Sequence, residues 1–395
     1  MDRRRFLAAV GTALLAGATG CVADGGGDGG DGSDGTATPS PTPSTPQPAT
    51  DPAPDADVAT TSADAAALRD VDLPLSDTDL KRGAAKDAIP AVVDPVFGED
   101  WSGVEASLED DERVIGVTVD GVARAYPLAV LNWHEVVNDS FGGPLLVTYC
   151  PLCGSGVTAE RRVDGEETVF GVSGYLWMSD LVMYDRKTES LWSQVLGKAV
   201  QGPRTGTPLS LRPSSMTTWG QWREEHPDTT VLLPPPESNT VAGRETRNYD
   251  SNPYAGYEND KRTGLGGLQN DDRLHPKTTV LGVATDGTAK AYPFGAVDEA
   301  GGVVNDAVGD LPVVVATSGD SLVAYVRRVD GETLEFSRDG DVLTAGGSRW
   351  GVVSGRARDG SHEGTTLEQA NDRTPMFWFA WSDFFPDSTI YGQSG

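Results

Sequence analysis

Cys150-Pro151-Leu152-Cys153 is the part of this chain best equipped for chemistry. Two thiols at i and i+3 can chelate one metal ion or close a reversible disulfide. A purely structural disulfide there would close a very short loop and constrain the unfolded chain little. The whole sequence holds three Cys, four His and five Met, so few residues can join the pair. His134 and Met178 are the expected further ligands, with Asn138, Asp139, Asp180 and Tyr184 as residues around them. Soft thiolates with His or Met favour copper first and zinc second. A helix through His134 would set it and Asn138 on one face.

Two other readings stay open. Cys150 and Cys153 can act as a thiol–disulfide redox pair without metal, since Cys-x-x-Cys is the spacing of thiol oxidoreductases. The Gly154-Ser155-Gly156 turn after the motif argues against a thioredoxin-like fold, which needs a helix there. The third reading is a non-catalytic module that binds a surface or partner, with the Cys pair structural. Met183 is expected as core packing. Two look-alikes fail. His134-Glu135 lacks the second His of a zinc-protease helix. It also lacks the spacer between His and Glu of the deaminase signature. No Walker loop, dinucleotide fingerprint or G-x-S-x-G elbow is found.

The elements that must position these residues read as mostly β. The stretch 145–149 is a short apolar strand leading into Cys150. Asp120-Gly121 and Asp164-Gly165 each break an alternating run, the strongest short hairpin signal. The stretches 181–184 and 189–192 suggest a third hairpin with a longer turn. Residues 128–137 form the best short helix, and 217–225 a second candidate. The expected fold class is mainly β with a few short helices.

The chain also repeats itself. VIGVTVDGVARAYP (114–127) faces VLGVATDGTAKAYP (280–293), with nine of fourteen positions identical. RRVDGEETVF (161–170) faces RRVDGETLEF (327–336), Asn138-Asp139 faces Asn305-Asp306, and Trp219/Trp222 face Trp378/Trp381. The order is kept throughout. Two copies of a β-rich unit of about 120 residues, packed as a pseudo-symmetric pair, are therefore expected. The first copy is assigned to 76–235, an inter-copy segment to 236–275, and the second copy to 276–393. The middle segment, with Tyr249, Tyr254 and Tyr257, is either a lid or a surface linker. In the second copy Ala316 and Gly319 stand where Cys150 and Cys153 stand in the first. Reactive residues thus sit in one copy only, so the second is expected to be a supporting lobe.

Residues 1–20 read as an export address. Arg3, Arg4 and Arg5 precede Phe6-Leu7 and a short apolar run, matching a twin-arginine signal. Thr19-Gly20-Cys21 resembles a lipoprotein processing site with Cys21 as the lipid-bearing residue; a plain cleaved signal is the alternative. Residues 21–75, rich in Gly/Asp and then Thr/Pro/Ser, are expected to be a disordered tether. The protein is therefore expected on the outer face of the cytoplasmic membrane, held by lipid, with a metal donor, acceptor or redox protein as partner. A formal charge of −28 excludes nucleic acid as a partner. Only seven basic residues are Lys, and this acidic, Lys-poor composition points to a halophilic source.

IPAVVDPVF (89–97), TYCPLCGSGV (148–157), FGVSGYLWMSDLVMYDRKTESLW (170–192) and NYDSNPYAGYE (248–258) carry a resemblance to a known family. They resemble the bacterial and archaeal domain of unknown function 3179, over nearly all of residues 85–390. The resemblance implies an exported protein and brings no established activity.

Overall fold

The computed structural model describes residues 67–267 and 271–393. The expected signal, Cys21 and the tether as far as residue 66 lie outside the described residues. The chain is mainly β with a few short helices. Residues 67–75, expected as the end of the tether, lie against the folded body. The Arg69 amide donates to the Phe384 carbonyl at 2.8 Å, the Leu75 amide to Val200 at 2.8 Å, and Leu75 is buried.

Turn chemistry explains the hairpins. Asp120-Gly121 has φ of 51° and 80°, both left-handed, and joins strands Arg113–Val119 and Val122–Pro127. That backbone twist matches the twist of the strands it connects. Asp286-Gly287 does the same for Thr279–Thr285 and Thr288–Pro293. The first hairpin anchors a five-stranded sheet, the second a four-stranded one. A six-stranded sheet holds Pro144–Cys150 between Val136–Ser140 and Ser155–Glu160. Another five-stranded sheet pairs Phe170–Trp177 with Asp180–Asp185, and that strand with Leu191–Ser193.

Helix α1, Leu128–His134, is shorter than the expected 128–137. Glu135 turns left-handed with φ 56°, and the β-branched Val136-Val137 begins strand Val136–Ser140. The expectation that His134 and Asn138 share a helix face is therefore corrected. Helix α2, Trp219–Glu225, is capped by Thr218, whose side chain accepts from the Gln221 amide. Helices α3, Phe294–Glu299, and α4, Trp378–Phe384, follow in the C-terminal half.

The same contacts recur in the two halves. Gly116 leaves room for the Trp222 ring, and Gly282 for the Trp381 ring; a Cβ at either glycine would overlap its indole. The two indoles donate to Thr229 at 2.9 Å and Ser388 at 2.8 Å. Arg124 and Tyr126 converge on Asp139, as Lys290 and Tyr292 do on Asp306. Asn138 accepts from the Phe170 amide and donates to its carbonyl; Asn305 treats Phe336 alike. The halves are not separate beads. One hydrophobic core holds Cys150, Cys153, Trp177 and Met178 together with Val280, Trp378, Trp381 and Phe384.

Candidate functional site

Strand alternation sorts the residues around the first cysteine. Tyr149 packs into the core of the N-terminal half, while Cys150 points into the core shared by both halves. The chain then turns back, since Cys150 pairs with Ser155 across the hairpin. The Cys153 amide donates to the Cys150 carbonyl at 3.1 Å, and Gly154 takes φ 66° to complete the reversal. A Cβ on Gly154 would lie 3.2 Å from the Phe377 ring, so glycine also admits that ring. Both sulfurs face the same way as a result.

They meet a second tight turn. Met178 and Ser179 join strands Phe170–Trp177 and Asp180–Asp185 with φ of 53° and 67°. Two consecutive left-handed residues without glycine are costly, and such strain collects at functional sites. The turn aims the Ser179 carbonyl at both sulfhydryls, 3.7 Å from Cys150 Sγ and 3.4 Å from Cys153 Sγ. It also brings in Asp180. Both sulfurs and a carboxylate oxygen of Asp180 lie within 4.8 Å of one another. Among the described residues no other trio of His, Cys, Asp or Glu is so arranged.

All three side chains are buried. Asp180 Oδ2 accepts from Ser193 Oγ at 2.6 Å and from the Val195 amide at 3.1 Å. Its Oδ1 has no hydrogen-bond partner. A buried carboxylate oxygen left unsatisfied is unfavourable by about 1–3 kcal/mol or more. Burial raises the Asp180 carboxyl to about 7, against the lowering effect of the Ser193 hydroxyl and the Val195, Leu181 and Gln194 amides. Burial also pushes the Cys153 thiol well up, with Cys150 next and the Asp180 and Asp383 carboxylates adding to it. Burial thus favours the neutral forms of the Asp180 carboxyl and the Cys153 thiol.

Both flanking segments close over it. The Ser179 amide donates to the Leu265 carbonyl at 2.8 Å. From the C-terminal half, the Phe377 amide donates to the Cys153 carbonyl at 2.8 Å, and Phe384 meets Trp177 edge-on at 5.4 Å. A cleft of about 490 Å³ lies on the other side of the motif, lined by Tyr149, Pro151, Tyr249, Tyr257, Lys277 and Phe377 among others.

The structure brings Cys150, Cys153 and Asp180 together and leaves His134 apart. His134 Nδ1 lies 2.7 Å from the Pro90 carbonyl, and Nε2 3.0 Å from the Tyr249 hydroxyl. A carbonyl can only accept, so Nδ1 carries the proton and Nε2 accepts from the phenol. Met178 lies in the same hydrophobic core as the sulfurs, at the turn itself. Asn138 ties Val92 to Phe170, Asp139 receives Arg124 and Tyr126, and the Tyr184 hydroxyl donates to Asp87. These three hold strands together and do not approach the sulfurs through any of those bonds. Ser179, Asp383 and Lys277 are absent from the sequence-based site. Met178-Ser179 carries no Gly, Asn or Asp to announce a turn, and the other two lie far away in sequence.

The buried, neutral His134 has a measurable consequence. Burial depresses it from 6.5 to about 4. Between those values the unfolded chain takes up a proton that the folded one refuses. Stability attributable to this group is therefore full above about pH 6.5 and falls as pH drops toward 4, by up to about 3 kcal/mol. Denaturant midpoints from pH 7 to 4 should show a steeper fall for the native chain than for His134→Gln. Parallel curves would refute a neutral, buried imidazole.

A family model described as protein of unknown function (DUF3179) matches residues 86–388. No curated protein and no solved structure matches the chain.

Proposed function

The chain belongs to this family of unknown function, and from that premise we propose that it binds one soft-to-borderline divalent metal ion through Cys150, Cys153 and Asp180. The observation that carries this is the unpartnered Asp180 Oδ1 in a carboxylate buried beside two sulfurs, all within 4.8 Å. Two thiolates and a carboxylate carry three negative charges into an apolar core, which is tolerable only with a cation or with protons in place. The Ser179 carbonyl is a further oxygen donor beside both sulfurs.

This ligand set favours zinc over copper. Copper(I) suits sulfur with imidazole or thioether, whereas zinc(II) accepts thiolate and carboxylate together. The imidazole expected to complete a copper site has both nitrogens engaged by Pro90 and Tyr249. A site enclosed on all sides suits retention or delivery of metal more than catalysis, which needs an open position.

The rest of the reading follows from the residues. The chain holds two copies of one unit, supported by the recurring Trp–Gly, Asn–Phe and Tyr–Asp contacts. The second copy supplies Phe377 and Phe384 as walls for the site of the first. The Arg3–Arg5 address and Cys21 support export and lipid anchoring, with a metal donor or acceptor outside the membrane as partner. Among the described residues no helix is long and apolar enough to cross a membrane.

Metal analysis of the protein purified from its export compartment tests this. About one equivalent of zinc is expected in the native chain and none in Cys150→Ser/Cys153→Ser. Equal metal in both samples sinks the proposal. A metal-free pair with a reduction potential above about −300 mV would instead favour the redox reading.

A further inference from the structure

Cys150, Cys153 and Asp180 are each at most 2% exposed, yet part of what covers them is a single layer of chain. Of residues 257–267, none is buried, and Leu265 has 36% of its surface in solvent. Its apolar anchor is Tyr257, partly buried against the core that holds the cysteines and beside the Phe377 ring. On its inner side, the Leu265 carbonyl takes the Ser179 amide, and Gly264 packs on Ser179 and Leu152. A Cβ at Gly264 would lie 2.9 Å from Ser179 Cβ.

Beyond these contacts, one side chain ties down the backbone of the segment's first half. Lys277, itself 5% exposed, sends its Nζ to three carbonyls of this segment: Tyr257 at 3.1 Å, Asp260 at 2.9 Å and Arg262 at 2.8 Å. An ammonium has three donors, so all of them are spent on the cover. The same nitrogen lies 3.4 Å from the centre of the Tyr257 ring, a cation–π contact that adds to the hold. Phe377, whose ring is 5.7 Å from Nζ, donates its amide to the Cys153 carbonyl. Latch and metal site therefore share a wall.

We propose that residues 257–267 are a removable cover over the Cys150–Cys153–Asp180 group, and that the Lys277 ammonium is the latch that keeps it shut. The inference builds on the metal-site reading, because it concerns how an ion or a donor protein reaches those ligands. Its physical claim, that the sulfurs are reached through this segment, holds or fails without any metal. Local opening is cheapest where contacts are few and the backbone is exposed, which describes this stretch.

The test uses the full chain, reduced and metal-free, with an aromatic disulfide reagent as the probe of thiol access. Lys277→Met keeps the apolar stem between the rings and removes the three donors. Its Cys150 and Cys153 thiols should react roughly tenfold faster or more than those of the native chain, in proportion to the larger open population. Unchanged thiol reactivity in a folded Lys277→Met protein overturns the proposal. If that variant does not fold, hydrogen exchange in the native chain decides. The Ser179 amide, bonded to the cover, should exchange faster than the Val182 amide in the strand beyond. Equal protection of the two amides overturns the latch. Faster thiol reaction in a protein that binds no zinc would keep the cover and remove the metal reading. Zinc binding with unchanged thiol access in the variant would do the reverse.

Discussion

Asp180→Asn should fold normally and yet gain no stability from zinc. The asparagine carbonyl can accept the Ser193 and Val195 hydrogen bonds that now go to Oδ2. Its amide nitrogen then takes the position of the unpartnered oxygen. The fold loses nothing it depends on, and a buried carboxylate is removed. The metal loses an anionic ligand. In the native chain, free zinc at a hundredfold over its dissociation constant should add about 2.7 kcal/mol. For a domain of this size that is a rise in melting temperature of about 5 °C. Thermal unfolding with chelator and with zinc, in both proteins, measures the difference. A zinc-dependent rise of equal size in Asp180→Asn would remove the carboxylate from the site. A protein that falls apart on this substitution would mark Asp180 as structural instead.

The second large effect concerns the frame. Gly116→Ala and Gly282→Ala should each destabilise the protein by about 3 kcal/mol or more, the upper range for overpacking. Each methyl would overlap a buried indole, Trp222 or Trp381, that cannot move away. Both rings are pinned by a hydrogen bond at one end and packed on a neighbouring ring, His226 tilted at 4.2 Å and Phe385 stacked at 3.9 Å. Truncating the indoles instead should cost about 3–5 kcal/mol each. Urea unfolding of the four variants reads these losses. Gly282→Ala has a further consequence, because Trp381 belongs to the core that contains both cysteines. It should loosen the metal site as well, whereas Gly116→Ala, against the other core, should not. Metal affinity unchanged in both variants would show that the shared core does not support the site.

Much of this was legible in the residues, for reasons that can be named. Asp-Gly pairs adopt left-handed conformations at low cost, so the four Asp-Gly hairpins at 120, 164, 286 and 330 are visible without a structure. The Cys pair is local, and its place between a strand and a glycine turn is readable from residues 145–156 alone. The helix ahead of Asn138 was read too long, because apolar spacing through 128–137 does not reveal that Glu135 turns left-handed. His134 looked like a ligand because its type fits one. Only packing shows that Pro90, forty-four positions away, and Tyr249 occupy its two nitrogens.

By itself, then, the sequence determined the β-rich class, the recurrence of one pattern in two stretches, and the confinement of the thiols to the first. Each of these is written in neighbours along the chain, where turn chemistry and alternation act. The tertiary structure alone decided which residues meet the sulfurs. Asp180 joins them because a strained Met178-Ser179 turn carries it there, and Lys277 latches a cover that begins twenty residues before it. Such encounters depend on how sheets stack and which side chains a core excludes from water, and no local period in the sequence records that.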